Sequence, residues 1–148
     1  MTQKEKQLLL KDICTRLPHG VKVAYLATTF SIQYVDRKFD EVKLDGMPHT
    51  VSTSHIRPYL RTISSMTKEE KEELLNLLFD KDAKCFYIDE EGTIDGKTSY
   101  LMKEGINYPA FCTINIILYT DWLNAHHFDF RNLIEKGLAI DCTGLNIY

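Results

Sequence analysis

The chain has 148 residues, enough for one domain with a sizeable core, and its 44% hydrophobic and 26% charged residues exclude long disordered regions. A formal charge of -3 and a pI near 5.9 exclude a grip on nucleic acid through bulk positive charge, although a local basic patch survives such an average. Cysteines at 14, 85, 112 and 142 form no close pair, which argues against a cysteine zinc site and points to reduced thiols.

In chain order, residues 3–17 read as an opening helix. Leu9, Leu10, Ile13, Cys14 and Leu17 fall at helical intervals, Lys4, Lys6, Lys11 and Arg16 lie mostly elsewhere, and Pro18-His19-Gly20 ends it. Its leucines are too few for a secretory signal core, and no window is apolar for long enough to span a bilayer. A cytoplasmic address and no membrane association are expected. From Val21 to Ile56 the period changes to two, and Asp45-Gly46 is a hairpin signal, giving a meander of about four antiparallel strands. Pro58 has no amide to donate, so the sheet is expected to end there, leaving Arg57, Tyr59 and Arg61 on a loop.

Thr67-Lys-Glu-Glu70 is a capping box, in which each side chain satisfies the other residue's amide. The helix it opens carries Leu74, Leu75, Leu77, Leu78 and Phe79 to about Asp80. Residues 85–89 read as a strand and 90–92 as an acidic turn. Asp95-Gly96 and Glu104-Gly105 mark further turns, and 111–118 is a buried strand or the lead-in to a helix. The stretch 119–138 holds the only tryptophan and two adjacent histidines. Thr120 is a candidate N-cap for a short helix carrying Trp122, Leu123 and His126, and Asp129 for a second one from Phe130 to about Lys136, which Gly137 would end. Residues 138–148 could add an edge strand.

The chemistry is thin. Gly92-Thr-Ile-Asp-Gly-Lys-Thr98 is one residue short of a phosphate-binding loop and is ringed by acidic residues, so an exposed turn is expected. His126, His127 and Asp129 are the best ligand cluster. Adjacent helical residues project about 100° apart, so both imidazoles reach one ion only where the helix has ended between them. A packed corner is expected instead, with no metal and no cofactor. Cys112 lies in an apolar run, where desolvation raises a thiol pKa rather than activating it. Arg57, Tyr59 and Arg61 suit a phosphate, a carboxylate or a stacked base. They equally suit pairing with Glu69, Glu70, Glu72 and Glu73, which is the reading preferred.

Two blocks, 57–70 and 121–138, resemble short uncharacterised proteins of gut anaerobic bacteria and of their phages or integrated elements. The resemblance implies a mobile-element or accessory protein and carries no activity, cofactor or catalytic residue with it. The reading is therefore a single α+β domain over 1–148: an N-terminal helix, an antiparallel β-meander, a capped central helix, further strands and a C-terminal pair of short helices. The expected function is non-catalytic binding of a protein partner, with Arg57, Tyr59, Arg61, Trp122, His126, His127 and Asp129 as binding candidates. The alternatives are a small hydrolase using His126, His127 and Asp129, and a nucleic-acid accessory protein using Arg57, Tyr59 and Arg61.

Overall fold

The computed structural model describes residues 1–79, 86–96 and 116–148. The fold is α+β. Among the described residues its α-helices are α1 (Gln3–Arg16), α2 (Lys68–Phe79) and α3 (Ile116–Ala125). Its strands are β1 (Lys22–Tyr25), β2 (Thr28–Asp36), β3 (Glu41–Leu44), β4 (Thr50–Ser52), β5 (Arg57–Leu60), β6 (Phe86–Ile88), β7 (Ile94–Gly96) and β8 (Ile140–Asp141). The chain divides into two compact units, Met1–Thr62 with Asn124–Tyr148, and Ile63–Leu123.

In the first unit α1 opens on a capping box: Thr2 Oγ1 accepts from the Glu5 amide and Glu5 accepts from the Thr2 amide at 2.6 Å. Gly20, with φ +70, donates its amide to Leu17 and ends the short 3-10 turn after the helix. The meander forms as the alternation predicts and continues into a six-stranded sheet of order β4-β3-β2-β1-β5-β8, antiparallel except for the β5–β8 pair. Leu9 and Ile13 of α1 pack with Val23, Val42, Leu44, Val51 and Ile56 of the sheet and its connections. A smaller cluster joins Leu60 to Leu133, Leu138 and Ala139.

Two details depart from the expectation. Pro58 lies inside β5, opposite Val23. β8 pairs only with Tyr59 and Leu60, so β5 has a single neighbour at the proline, where a missing amide hydrogen is tolerated. Arg57 and Tyr59 are consequently strand residues rather than loop residues. Arg16 does not lie off the apolar stripe of α1: it and Asp12 are fully buried.

The β1–β2 hairpin turns on Leu26 (φ 48) and Ala27 (φ 61), both left-handed. A two-residue turn of this hand matches the strand twist but normally employs Asn or Gly, because a Cβ is crowded there. Leu26 is 78% exposed, so no burial offsets the strain. Ala27→Gly should raise the unfolding free energy by about 1 kcal/mol, the left-handed penalty less the entropy that glycine adds to the unfolded chain. Urea denaturation of the two proteins measures it.

In the second unit the capping box of α2 forms as predicted, Glu70 accepting from the Thr67 amide at 2.8 Å and Thr67 Oγ1 from the Glu70 amide at 3.2 Å. Lys71 Nζ donates to the carbonyls of Ile88 and Asp89, and Phe79 stacks on Phe86 with centroids 4.0 Å apart. Asp89 accepts the amides of Glu91 and Thr93 and shapes the turn between β6 and β7. Gly92 has φ +83 there, and a Cβ would stand 2.8 Å from Ile63 Cγ2, so only glycine fits. Lys97 and Thr98, Glu104-Gly105, Cys85, Cys112 and 111–115 lie outside the described residues. Thr120 does not start a helix. α3 begins at Ile116, and the Thr120 hydroxyl donates back to the Ile116 carbonyl at 2.7 Å. No helix among the described residues is long and apolar enough to cross a membrane.

Candidate functional site

The polar residues of the first unit converge where α1 meets the segment that follows α3. Asp12 and Arg16 stand one turn apart on α1, both 0% exposed. Arg16 Nε donates to Asp12 Oδ2 at 2.8 Å, and its Nη2 donates to the Phe128 carbonyl at 2.7 Å. Arg131 Nη1 reaches the second oxygen of the same carboxylate at 2.5 Å. One buried carboxylate is thus shared by two guanidiniums, which also lie 5.5 Å (Arg16) and 4.2 Å (Arg131) from the Phe130 ring centroid.

The segment after α3 is one helix end followed by a run of turns, not a second helix. His127 (φ 59) and Asn132 (φ 56) are left-handed, which breaks any helical run through them. Asp129 then captures the amides that such a helix would have bonded internally: Oδ1 accepts from Leu133 N at 2.9 Å and Oδ2 from Ile134 N at 2.8 Å. The Asp129 carboxylate is therefore a cap, though of turns. Gly137, φ +66, closes them with its amide on the Ile134 carbonyl. Arg61 donates its amide to the His127 carbonyl and accepts from the Asp129 amide, a parallel bridge that prolongs β5. Its guanidinium lies 4.5 Å from the centroid of the fully buried Phe128 ring.

His127 is 6% exposed and lies flat against Tyr148, with ring centroids 3.6 Å apart and planes 8° from parallel. Burial, helped by the positive charge of Arg16, His19, His126 and Arg61, pushes its pKa down to about 4, so the ring is neutral at pH 7. Its Nδ1 is buried and has no hydrogen-bond partner. The Tyr148 hydroxyl donates to the Tyr59 carbonyl at 2.7 Å and accepts from the Lys22 amide at 3.2 Å. Tyr148 as a whole is 43% exposed, but packing against His127 desolvates its phenol and holds it above its usual range. Lys22 Nζ donates to the Ile147 carbonyl and sits 5.9 Å from the Tyr148 ring centroid.

The structure thus joins Arg61, His127 and Asp129 through backbone, with half-buried His126 adjacent in the chain. Arg57 and Tyr59 share β5, with Tyr59 Oη accepting from Thr29 Oγ1 at 3.3 Å. Trp122 belongs to the second unit, where its Nε1 donates to Glu73 at 2.8 Å. Among the described residues no group of three or more His, Cys, Asp or Glu is placed to hold a metal ion. The thiols of Cys14 and Cys142 are both pushed up by burial. Sequence reasoning missed Asp12, Arg16, Arg131, Lys22 and Tyr148. The signal for the first two was available, since Asp12 is three and Arg16 seven residues beyond Leu9, on the stripe that packs. Compared with known proteins, the chain matches no family model, no curated protein and no solved structure.

Proposed function

We propose that this chain is a non-catalytic accessory protein of the cytoplasm, encoded by a phage or mobile element, that acts by binding another protein. The observation that carries the reading is the β1–β2 turn, which keeps a leucine 78% exposed on a left-handed backbone that folding alone does not favour. Strain retained at an exposed apolar tip suits a residue selected for contact. The polar corner supports the reading from the other side. Its carboxylates hold guanidiniums and amides, and an imidazole with a pKa of about 4 is a poor general base at neutral pH.

The test places a photo-crosslinking amino acid at position 26 and irradiates extracts of the source cells. A discrete, saturable protein adduct is expected, and untagged wild-type protein should compete it away while folded Leu26→Asp should not. Equal competition by both proteins, or no adduct, overturns the reading. Adducts to nucleic acid would favour the Arg57, Tyr59 and Arg61 alternative instead.

A further inference from the structure

The β1–β5 ladder pairs Val23 with Pro58 and Ala24 with Arg57, so its register next sets Lys22 against Tyr59. At that rung stands the Tyr148 hydroxyl, accepting from Lys22 N and donating to the Tyr59 carbonyl. It performs there what a bridging water does between splayed strands. The ring below the hydroxyl is stacked on His127, and an ammonium lies above it. Stacking surface, donor, acceptor and cation together define a site for one phenol. We propose that His127, Lys22 and Tyr59 form a phenol-binding socket, which the chain fills with its own Tyr148 as the latch of a reversible strap, residues 143–148.

The strap is otherwise held by hydrogen bonds at its base, where Thr143 N donates to Asp141 and Leu145 N to the Cys142 carbonyl. Thr143, Gly144, Leu145 and Asn146 are exposed, and its remaining ties include the Lys22 ammonium on the Ile147 carbonyl and the Thr143 hydroxyl beneath the Thr62 amide at 3.3 Å. Opening it would uncover His127, including the Nδ1 that no group satisfies. An uncovered imidazole gains water as its partner and takes a proton more readily, so acid favours the open form. The groups around the ring do not oppose this by pairing with it. Arg16 of α1, His19 of the turn after it, His126 beside it and Arg61 after β5 all bear on the ring as positive neighbours and none as a counter-charge. Asp12, whose charge reaches Tyr148, is held between Arg16 and Arg131, Lys22 faces the phenol, and the buried Cys142 thiol is neutral.

The experiment empties the socket with Tyr148→Ala and refills it with p-cresol, the tyrosine side chain cut free. Emptying should speed hydrogen exchange of the Lys22 amide by about tenfold, the loss of one hydrogen bond. The His127 ring, followed by NMR, should titrate above its wild-type midpoint. Saturating p-cresol should reverse both changes. Toluene, without the hydroxyl, should restore the ring's midpoint and leave the amide fast. Tyr148→Phe should show the same split within the chain, and it decides the matter if Tyr148→Ala does not fold. In the wild type, acid that protonates His127 should free residues 143–148 while β1–β3 amides stay protected. The proposal is overturned if p-cresol changes neither signal in folded Tyr148→Ala, or if Tyr148→Phe leaves Lys22 exchange at the wild-type rate. Release of 143–148 only together with global unfolding overturns the strap.

Discussion

Replacing Asp12 with alanine should lower the unfolding free energy by about 3–5 kcal/mol, which would leave a protein of ordinary stability barely folded. The carboxylate is fully buried and is the shared acceptor of Arg16 Nε and Arg131 Nη1. Its removal takes from the fully buried Arg16 guanidinium the carboxylate to which Nε donates, at a site that water does not reach. Arg131, 15% exposed, can swing toward water and suffers less. The cost therefore measures an abandoned charge and not the net worth of the pair. It follows that Asp12→Leu combined with Arg16→Met should lose less than Asp12→Ala alone, because both buried charges go and apolar volume replaces them. Urea titrations of the wild type, the single variant and the double variant check this. A double variant weaker than the single one would show that the cluster holds the fold by attraction.

Acid should remove stability through His127 from about pH 6.5 downward. Its folded-state pKa of about 4 lies below the ordinary value of 6.5, so the unfolded chain takes the proton first as pH falls. The contribution is complete above pH 6.5, is lost progressively down to about pH 4, and is constant below. Its slope approaches 1.4 kcal/mol per pH unit, about 3 kcal/mol in all, and less once opening of residues 143–148 lets the ring protonate in place. The reference is His127→Asn, which tolerates φ +59 and does not titrate. The difference in unfolding free energy between the two proteins should shrink as pH drops from 7 to 4. A pH-independent difference would mean that the ring is solvated.

Local signals were legible wherever neighbours in sequence decide the outcome. Thr67 and Glu70 settle the start of α2 between themselves, and the two-residue alternation from Val21 onward places strands β1 to β4. Ile140–Asp141 joins the sheet as an edge strand, as the closing stretch suggested. The failures share a cause, which is that a distant partner overrides a local preference. Pro58 suggests a strand end, but β8 pairs only beyond it and leaves the proline a one-sided place. Residues 130–136 carry helical spacing, yet the Asp129 carboxylate takes two of the amides a helix would need, and Asn132 turns left-handed. Arg16 looks like a solvent-facing charge until Asp12 and the Phe128 carbonyl are seen around it. In the candidate site, His127 and Asp129 stood out by their spacing, but their side chains take separate partners, Tyr148 for the ring and the amides of Leu133 and Ile134 for the carboxylate. The involvement of Tyr148 and Lys22 was not, since they lie 126 residues apart and meet only through the fold.

Because Ile63–Leu123 interrupts the first unit, the order of synthesis carries its own hazard. A ribosome that has produced residues 1–62 has made α1 and β1 to β5, but β8 and the cover for Leu60 have yet to emerge. Through the translation of the 77 codons from Ile63 to Ala139 the nascent sheet offers a bare β5 margin. Premature stop codons between Thr62 and Ile140 should thus yield sticky fragments rather than a smaller stable domain, and chaperones should be needed during elongation more than after it.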